Sequence, residues 1–531
     1  MSKAAFLRFF LAALFVGLAF RLWRLDSRPM HHDEANQAVK FGTLLETGEY
    51  RYDRNDHHGP TLYYLTLPAA WVRGQKTLSA LDEWTLRAVP AAFGVGLLLL
   101  FGLLTRKLGR EAVVLSAFFA ALSPALTYYS RFYIQESLFV FFSLGFLIAL
   151  GRYAFHPAAG SALAAGACAG LAYATKETSV VMFAAAGAAF VVAMISTIGI
   201  PRLSNPYADP RRIRIVHILA GLGVAVSIAF VFYSSFFRTP GSTVESVRAF
   251  KDYFARGTEP GLHVHPWFYY FQMLVYSSSG GLVWTEGLIL VLALVGTVIA
   301  FGRTRTAGDP DQIEPAQISY AEECFWPRYF FLYSLFTAAA FSIFSYKTPW
   351  NLLAFYAGLI LLAGSGAAAL LKSLRSPLAR SLLLILLLAG SCHLGLENWR
   401  ANYSYPADPR NPYAYVQTSS DFLRLVKRVH DLTAVHGDGK DMLVKVVAGP
   451  YEQWPLPWYL RDLRHVGYWT SPADAGGFDH VPVVIASQEN VQKLESILGD
   501  HAQTETYGLR PDILLTLYID RPLWERFLNR K

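Results

Sequence analysis

The sequence predicts an α-helical integral membrane protein of about eleven spanning helices with a small α/β domain at its C-terminal end. Three observations predict it. Of the 531 residues, 53% are hydrophobic and only 16% are charged, against about 25% charged in average soluble domains. Apolar stretches with little or no charge recur along the first 396 residues, where soluble chains hold few. Basic residues gather in alternate connections between those stretches, as topology demands of a multi-pass protein.

The stretches 9–20, 88–104, 112–126, 138–150, 162–174, 180–200, 215–232, 282–300, 330–344, 352–371 and 382–396 each read as the core of a span, which needs roughly 20 residues to cross. The stretch 162–174 is short and rich in Gly and Ala, so it reads as a close-packed span. The first stretch is followed by Arg21, Trp23 and Arg24 rather than a small-residue cleavage site, which predicts a retained helix and not a signal peptide. The three cysteines, Cys168, Cys324 and Cys392, imply no disulfide framework.

With the N-terminus inside, the inner connections hold Lys3 and Arg8; Arg106, Lys107 and Arg110; Arg152; Arg202, Arg211, Arg212 and Arg214; Arg303 and Arg305; and Lys372, Arg375 and Arg380. The net charge of +8 therefore follows topology and does not call for nucleic acid. The outer segments are 25–84, 128–136, 175–178, 237–281, 345–350 and everything after about 397. An odd span count puts the C-terminal part outside. In the first outer loop, 33–47 reads as a short helix ended by Gly48, and 61–72 as a helix lying in the interface. In the second long loop, Trp267, Phe268, Tyr269 and Tyr270 fit an interfacial aromatic belt. The expected division is a transmembrane domain over 1–396 and an extracytoplasmic α/β domain over 397–531, with strands at 441–448, 481–486 and 513–518 and a helix at 490–498.

Ionisable residues at membrane level usually mark a site, and here they cluster on the outer side. His31-His32-Asp33-Glu34 opens a helix, where the dipole favours ionised acids. Asp33 there either caps the helix or takes a proton from a hydroxyl nucleophile. Asp53, Asp56, His57 and His58, with His263 and His265, offer enough imidazole and carboxylate for a divalent metal, although no spacing matches a metal signature. The alternative is a set of loop anchors. Arg131 suits phosphate oxygens or an ion pair with Glu136. Lys176, beside Glu177 in a tight turn, either serves an anion or snorkels. Lys347 precedes a helix start favoured by Pro349; a cation is unhelpful there unless an anion sits nearby. Aromatic residues between prolines in 454–462 form either a face for sugar stacking or core.

The motifs HHDEA at 31–35, YDRNDHHGP at 52–60, SRFYIQES at 130–137, TKE at 175–177, SYKTPWN at 345–351 and WPLPWYLRD at 454–462 resemble the GT-C superfamily of membrane glycosyltransferases. That group includes the protein O-mannosyltransferases and the aminoarabinose transferases of lipid A. Within it the chain is similar to the family described as flippase activity-associated. The resemblance implies a sugar donor linked to polyprenyl phosphate and inversion at the anomeric carbon. It implies Asp33 as general base with Glu34 as its neighbour, Arg131 and Lys347 on the departing phosphate, and Glu136 as a second acid. The TKE and WPLPWYLRD motifs take no role from it; Lys176 is grouped with the phosphate-binding cations and Glu177 with the supporting acid. His31, His32, Asp56, His57, His58, His263, His265, Tyr346, Trp458 and Arg461 are candidates for contacts to acceptor, sugar or metal.

The expected function is thus glycosyl transfer from the lipid donor to an extracytoplasmic glycan, lipid or protein acceptor, in a multi-pass protein of the cell membrane. The alternative is a transporter or flippase component that moves lipid-linked saccharides without breaking bonds. Transporters often show inverted repeats and mid-span polar residues; this sequence shows no repeat, and its ionisable residues lie at one surface.

Overall fold

In lipid an apolar segment must satisfy its own backbone hydrogen bonds, and each of the eleven apolar stretches carries a helix in the computed structural model. The structure describes residues 1–54, 58–198, 214–256, 263–302 and 315–530. Its first half contains α1 (Lys3–Leu22), α2 (His32–Thr47), α3 (Thr61–Val72), α4 (Glu83–Gly102), α5 (Thr105–Leu108), α6 (Arg110–Leu122), α7 (Pro124–Ser130), α8 (Glu136–Phe155), α9 (Ala159–Tyr173), α10 (Ser179–Ile198) and α11 (Ile215–Tyr233). There follow α12 (Ser242–Arg256), α13 (Tyr269–Val275), β1 (Ser277–Ser279), β2 (Leu282–Trp284), α14 (Gly287–Gly302), α15 (Pro315–Ile343), α16 (Leu353–Ser373) and α17 (Pro377–Trp399). The last part holds α18 (Phe422–Thr433), β3 (Val444–Val447), α19 (Leu456–Tyr459), β4 (Val466–Trp469), β5 (Val483–Ser487), α20 (Gln488–Leu498), β6 (Ala502–Arg510), β7 (Ile513–Asp520) and α21 (Arg521–Leu528).

Among the described residues seven helices are long and apolar enough to cross a membrane, eight if α6 and α7 form one span bent by 61°. The break in the stretch expected to run unbroken over 112–126 falls at Ser123-Pro124, where proline suits the start of a helix but not its interior. The stretch expected as a span from residue 282 begins instead with β2, and its helix starts at Gly287. α9 and α14 are apolar but shorter. Small residues do bring α9 close to its neighbour: a Cβ on Gly166 would lie 2.0 Å from the Gly221 carbonyl oxygen of α11, so no side chain fits between the backbones.

The chain divides into two units, each discontinuous in sequence. The first comprises Met1–Trp23, Glu49–Thr66 and Arg87–Ser404; the second comprises Arg24–Gly48, Leu67–Leu86 and Tyr405–Lys531. The second unit contains a five-stranded sheet of order β4-β3-β5-β7-β6. β4, β3 and β5 are parallel, and β7 and β6 extend the sheet antiparallel. Strand periodicity of two explains its two faces: Val444, Val446 and Ile485 pack with Leu425 and Val429 of α18, whereas Val447, Val484 and Ala486 pack with Leu494 of α20.

Candidate active site

In the second unit, His31-His32-Asp33-Glu34 forms the start of α2, and His31, not Asp33, is its N-cap. The His31 Nδ1 accepts the Asp33 backbone N–H at 3.0 Å. Its Nδ1 must therefore be unprotonated, and Nε2–H donates to the Tyr415 carbonyl at 3.1 Å. Glu34 closes the other half of the capping box by accepting the His31 backbone N–H at 3.1 Å. Glu34 is wholly buried, with the Arg28 guanidinium 3.6 Å away. Burial pushes the His31 imidazole down to about 4, so the neutral form that caps the helix is the form present near neutrality. Capping thus passes to His31 and Glu34. Asp33, the middle residue of that turn, keeps 38% of its side chain exposed, at a helix start that favours its charge.

The same unit holds this turn from behind. The Met30 N–H donates to the Tyr459 hydroxyl at 2.9 Å, and the Gln417 amide donates to the Pro29 carbonyl at 2.9 Å. Trp458 is fully buried, and its indole N–H donates to Glu83 at 2.9 Å. Arg461 lies 3.7 Å from the centre of that indole and donates to the Trp458 and Leu81 carbonyls. Both residues stood as candidate sugar or acceptor contacts; Trp458 packs as core, with its indole N–H bonded to Glu83 and one ring face covered by the Arg461 guanidinium.

In the first unit, four of the sequence motifs meet. Lys176 donates to Glu136 at 2.5 Å and to the Asn351 side-chain oxygen at 3.3 Å. Both charged groups are buried, so Lys176 does not snorkel, and Glu136 meets Lys176 rather than Arg131, which stood as its alternative partner. Glu177 accepts the His58 backbone N–H at 2.6 Å, lies 3.1 Å from His58 Nδ1 and accepts the Tyr52 hydroxyl at 3.4 Å. Backbone bonds from Gly59 to Thr175 and from Thr61 to Ala174 seat the segment 58–61 on this turn. Position 59 tolerates no side chain: a Cβ there would lie 2.1 Å from the Ala174 oxygen.

Arg131 covers the C-terminal end of α1, donating to the Phe20, Arg21 and Trp23 carbonyls at 3.1, 3.0 and 2.8 Å and lying 4.8 Å from the centre of the Tyr403 ring. A cation suits the negative end of a helix whose last carbonyls lack partners. Lys347 donates its ammonium protons to the His265 carbonyl at 3.0 Å and to the Phe344 carbonyl. Among the described residues no carboxylate is within ion-pair distance of it. Burial lowers its pKa from the ordinary lysine range. Backbone bonds join it to the strand-like segment 263–265. There the His263 ring meets Tyr346 edge-on at 4.9 Å, and the His265 ring stacks on Tyr269 at 4.1 Å.

His32 packs against Tyr451 and Trp454 of the second unit. Asp56 and His57 lie outside the described residues. Among the described residues no three His, Cys, Asp or Glu side chains gather as a metal ion would require.

Sequence reasoning passed over Glu286, which lay inside a stretch read as a span. It is fully buried and accepts from the Ser123 hydroxyl at 2.6 Å, the Ala125 N–H at 2.9 Å and the Tyr356 hydroxyl at 2.7 Å. A lone acid in an apolar run was the available signal. Its three donors replace water and tie the start of α7 to α16.

Residues 7–241 match the family model described as dolichyl-phosphate-mannose-protein mannosyltransferase. The fold is similar to that of ArnT from Cupriavidus metallidurans bound to undecaprenyl phosphate, with a TM-score of 0.63 and 15% identity over 98% of this chain and 99% of that one. It is also similar to the archaeal oligosaccharyltransferase AglB from Archaeoglobus fulgidus, in complex with an inhibitory peptide and a dolichol-phosphate. There the TM-score is 0.55 and the identity 13%, over 99% of this chain and 77% of that one. No curated protein matches the sequence.

Proposed function

We propose that this chain is a multi-pass GT-C membrane glycosyltransferase of the O-mannosyltransferase and ArnT type, as the family-model match and the fold likeness support, and that it moves a sugar from a polyprenyl-phosphate donor to an acceptor hydroxyl outside the cytoplasm, with inversion. Asp33 takes the proton of the acceptor hydroxyl as its oxygen attacks the anomeric carbon. The bond from that carbon to the donor phosphate breaks, and the electron pair leaves with the lipid phosphate. Lys347, whose ammonium is held by carbonyls rather than by an acid, stabilises the charge that develops on the phosphate. Arg131 and Lys176 act through the elements they hold in place. The alternation of basic connections supports eleven spans, an inner N-terminus and an outer C-terminal part.

The observation that carries this reading is the division of labour in the acid pair. Glu34 is spent on the capping box, while Asp33 stays presented on the same turn. Transfer by the full chain in proteoliposomes, with mannosyl phosphoryl undecaprenol as donor, tests it. Asp33→Asn should lower turnover by about 10²–10⁴-fold with donor binding retained. Full transfer by that variant would remove Asp33 as base.

A further inference from the structure

We propose that Tyr451, Trp454 and Arg510 form a subsite beside Asp33 that receives a saccharide ring of the acceptor. The proposal rests on reading Asp33 as the base, and it adds the acceptor's chemical class. All of its residues belong to the second unit.

The His32 ring, next to Asp33 in the chain, lies 6.0 Å from the Tyr451 ring and 5.9 Å from the Trp454 ring. Tyr451 is 76% exposed, which is unusual for a large ring with neighbours to pack against. The loop bearing both aromatics follows the C-terminal end of β3, within the parallel part of the sheet, where open α/β sheets place their ligands. Arg510 approaches from the end of β6. A register irregularity between Gly508 and Arg510 redirects the strand there, as bulges do.

Arg510 is more than nine-tenths buried, and its guanidinium donates to the Tyr451 carbonyl. Among the described residues its Nε has no hydrogen-bond partner, and neither has the buried Oε2 of Glu452, the residue after Tyr451. Arg510 feels the charges of both Glu452 and Asp33. One donor and one acceptor, both buried and unsatisfied, thus sit beside aromatic faces and next to the proposed base. Each such atom is destabilising while unpaired. A sugar ring meets all of these demands together: its C–H face covers an aromatic ring, and adjacent hydroxyls both donate and accept. A peptide acceptor would bring one hydroxyl and no comparable apolar face.

Saturation-transfer NMR on the full chain in lipid nanodiscs reads the binding without turnover. The probes are methyl α-D-mannopyranoside and a hexapeptide containing Ser and Thr. The sugar-ring protons should receive saturation from the wild type and from Asp33→Asn. The effect should fall about fivefold in Tyr451→Ala and survive in Tyr451→Trp. Because Tyr451 is exposed, its loss leaves the core intact; retained binding of undecaprenyl phosphate verifies the fold of each variant. An equal sugar signal in Tyr451→Ala, no sugar signal in the wild type, or saturation of the peptide instead would overturn the proposal. A fully active Asp33→Asn would remove the base and leave the binding result standing.

Discussion

Glu34 accepts the backbone N–H of His31 at 3.1 Å and so closes the turn from which Asp33 projects. The capping box takes Glu34 out of contention as a base, and it fixes the backbone at Asp33. The Glu34 side chain is also the buried countercharge of Arg28. Glu34→Ala should destabilise the second unit by about 3 kcal/mol, because it strands the Arg28 charge as well as opening the cap. Glu34→Gln, which can still accept the His31 N–H, should cost less. Thermal unfolding of both variants checks the order.

Acid should weaken the same turn. An unfolded histidine takes up a proton near pH 6.5, but the buried His31 imidazole only near 4. Between those values the unfolded chain binds more protons, so the cap's contribution is full above pH 6.5 and is lost as pH falls toward 4. From pH 7 to 5 the loss should be about 2 kcal/mol. Hydrogen exchange of the first α2 amides should report it, and His31→Asn, which caps without titrating in this range, should abolish the dependence.

The Lys176–Glu136 pair is buried on both sides. Lys176→Met should destabilise the first unit by about 3–5 kcal/mol by leaving a carboxylate uncompensated. The double change Lys176→Met with Glu136→Leu should recover much of that loss. A double-mutant cycle of melting temperatures measures it; independent, additive effects would show that the two groups are not coupled.

Gly59→Ala should lift the segment 58–61 off the turn at 174–175, since the added carbon meets backbone and not a yielding side chain. The Gly59 and Thr61 backbone bonds to that turn would go with it, a loss of about 2 kcal/mol. Faster proteolysis within residues 51–60, with α8 and α10 still protected, is the expected pattern.

Lys347 titrates below the ordinary lysine range because it is buried. Its charge is lost, as pH rises, earlier than that of an exposed lysine. Affinity for undecaprenyl phosphate should therefore decline at alkaline pH. Lys347→Arg should hold affinity over that range, and Lys347→Met should lower it about tenfold near neutrality, with the gap to the wild type closing as pH rises. A flat pH profile in the wild type would separate Lys347 from the phosphate.

Much of this molecule was legible in the sequence because membrane crossing is a local requirement. An apolar run either is or is not long enough, and each of the eleven runs carries a helix. The helix before Gly48 was legible for a similar reason: a left-handed residue ends it. The candidate site was legible only as a set of residue types. Asp33, Glu34, Lys176 and Lys347 stood out as charges at membrane level, but their partners did not. That His31 caps while Asp33 projects, and that Glu136 meets Lys176 across 40 positions, depends on side-chain directions that no spacing encodes.

The sequence by itself determined a helical membrane protein with its ionisable residues gathered in the connections, because hydropathy acts over one segment at a time. Tertiary structure alone decided which of two adjacent acids is presented and which is buried. It also showed that Trp458 belongs to the interior whereas Tyr451 faces outward. Those outcomes depend on which distant donor or ring fills the space beside each group: Arg28 beside Glu34, and Glu83 and Arg461 around Trp458. Such neighbours are brought together by packing, and packing is a property of the whole fold.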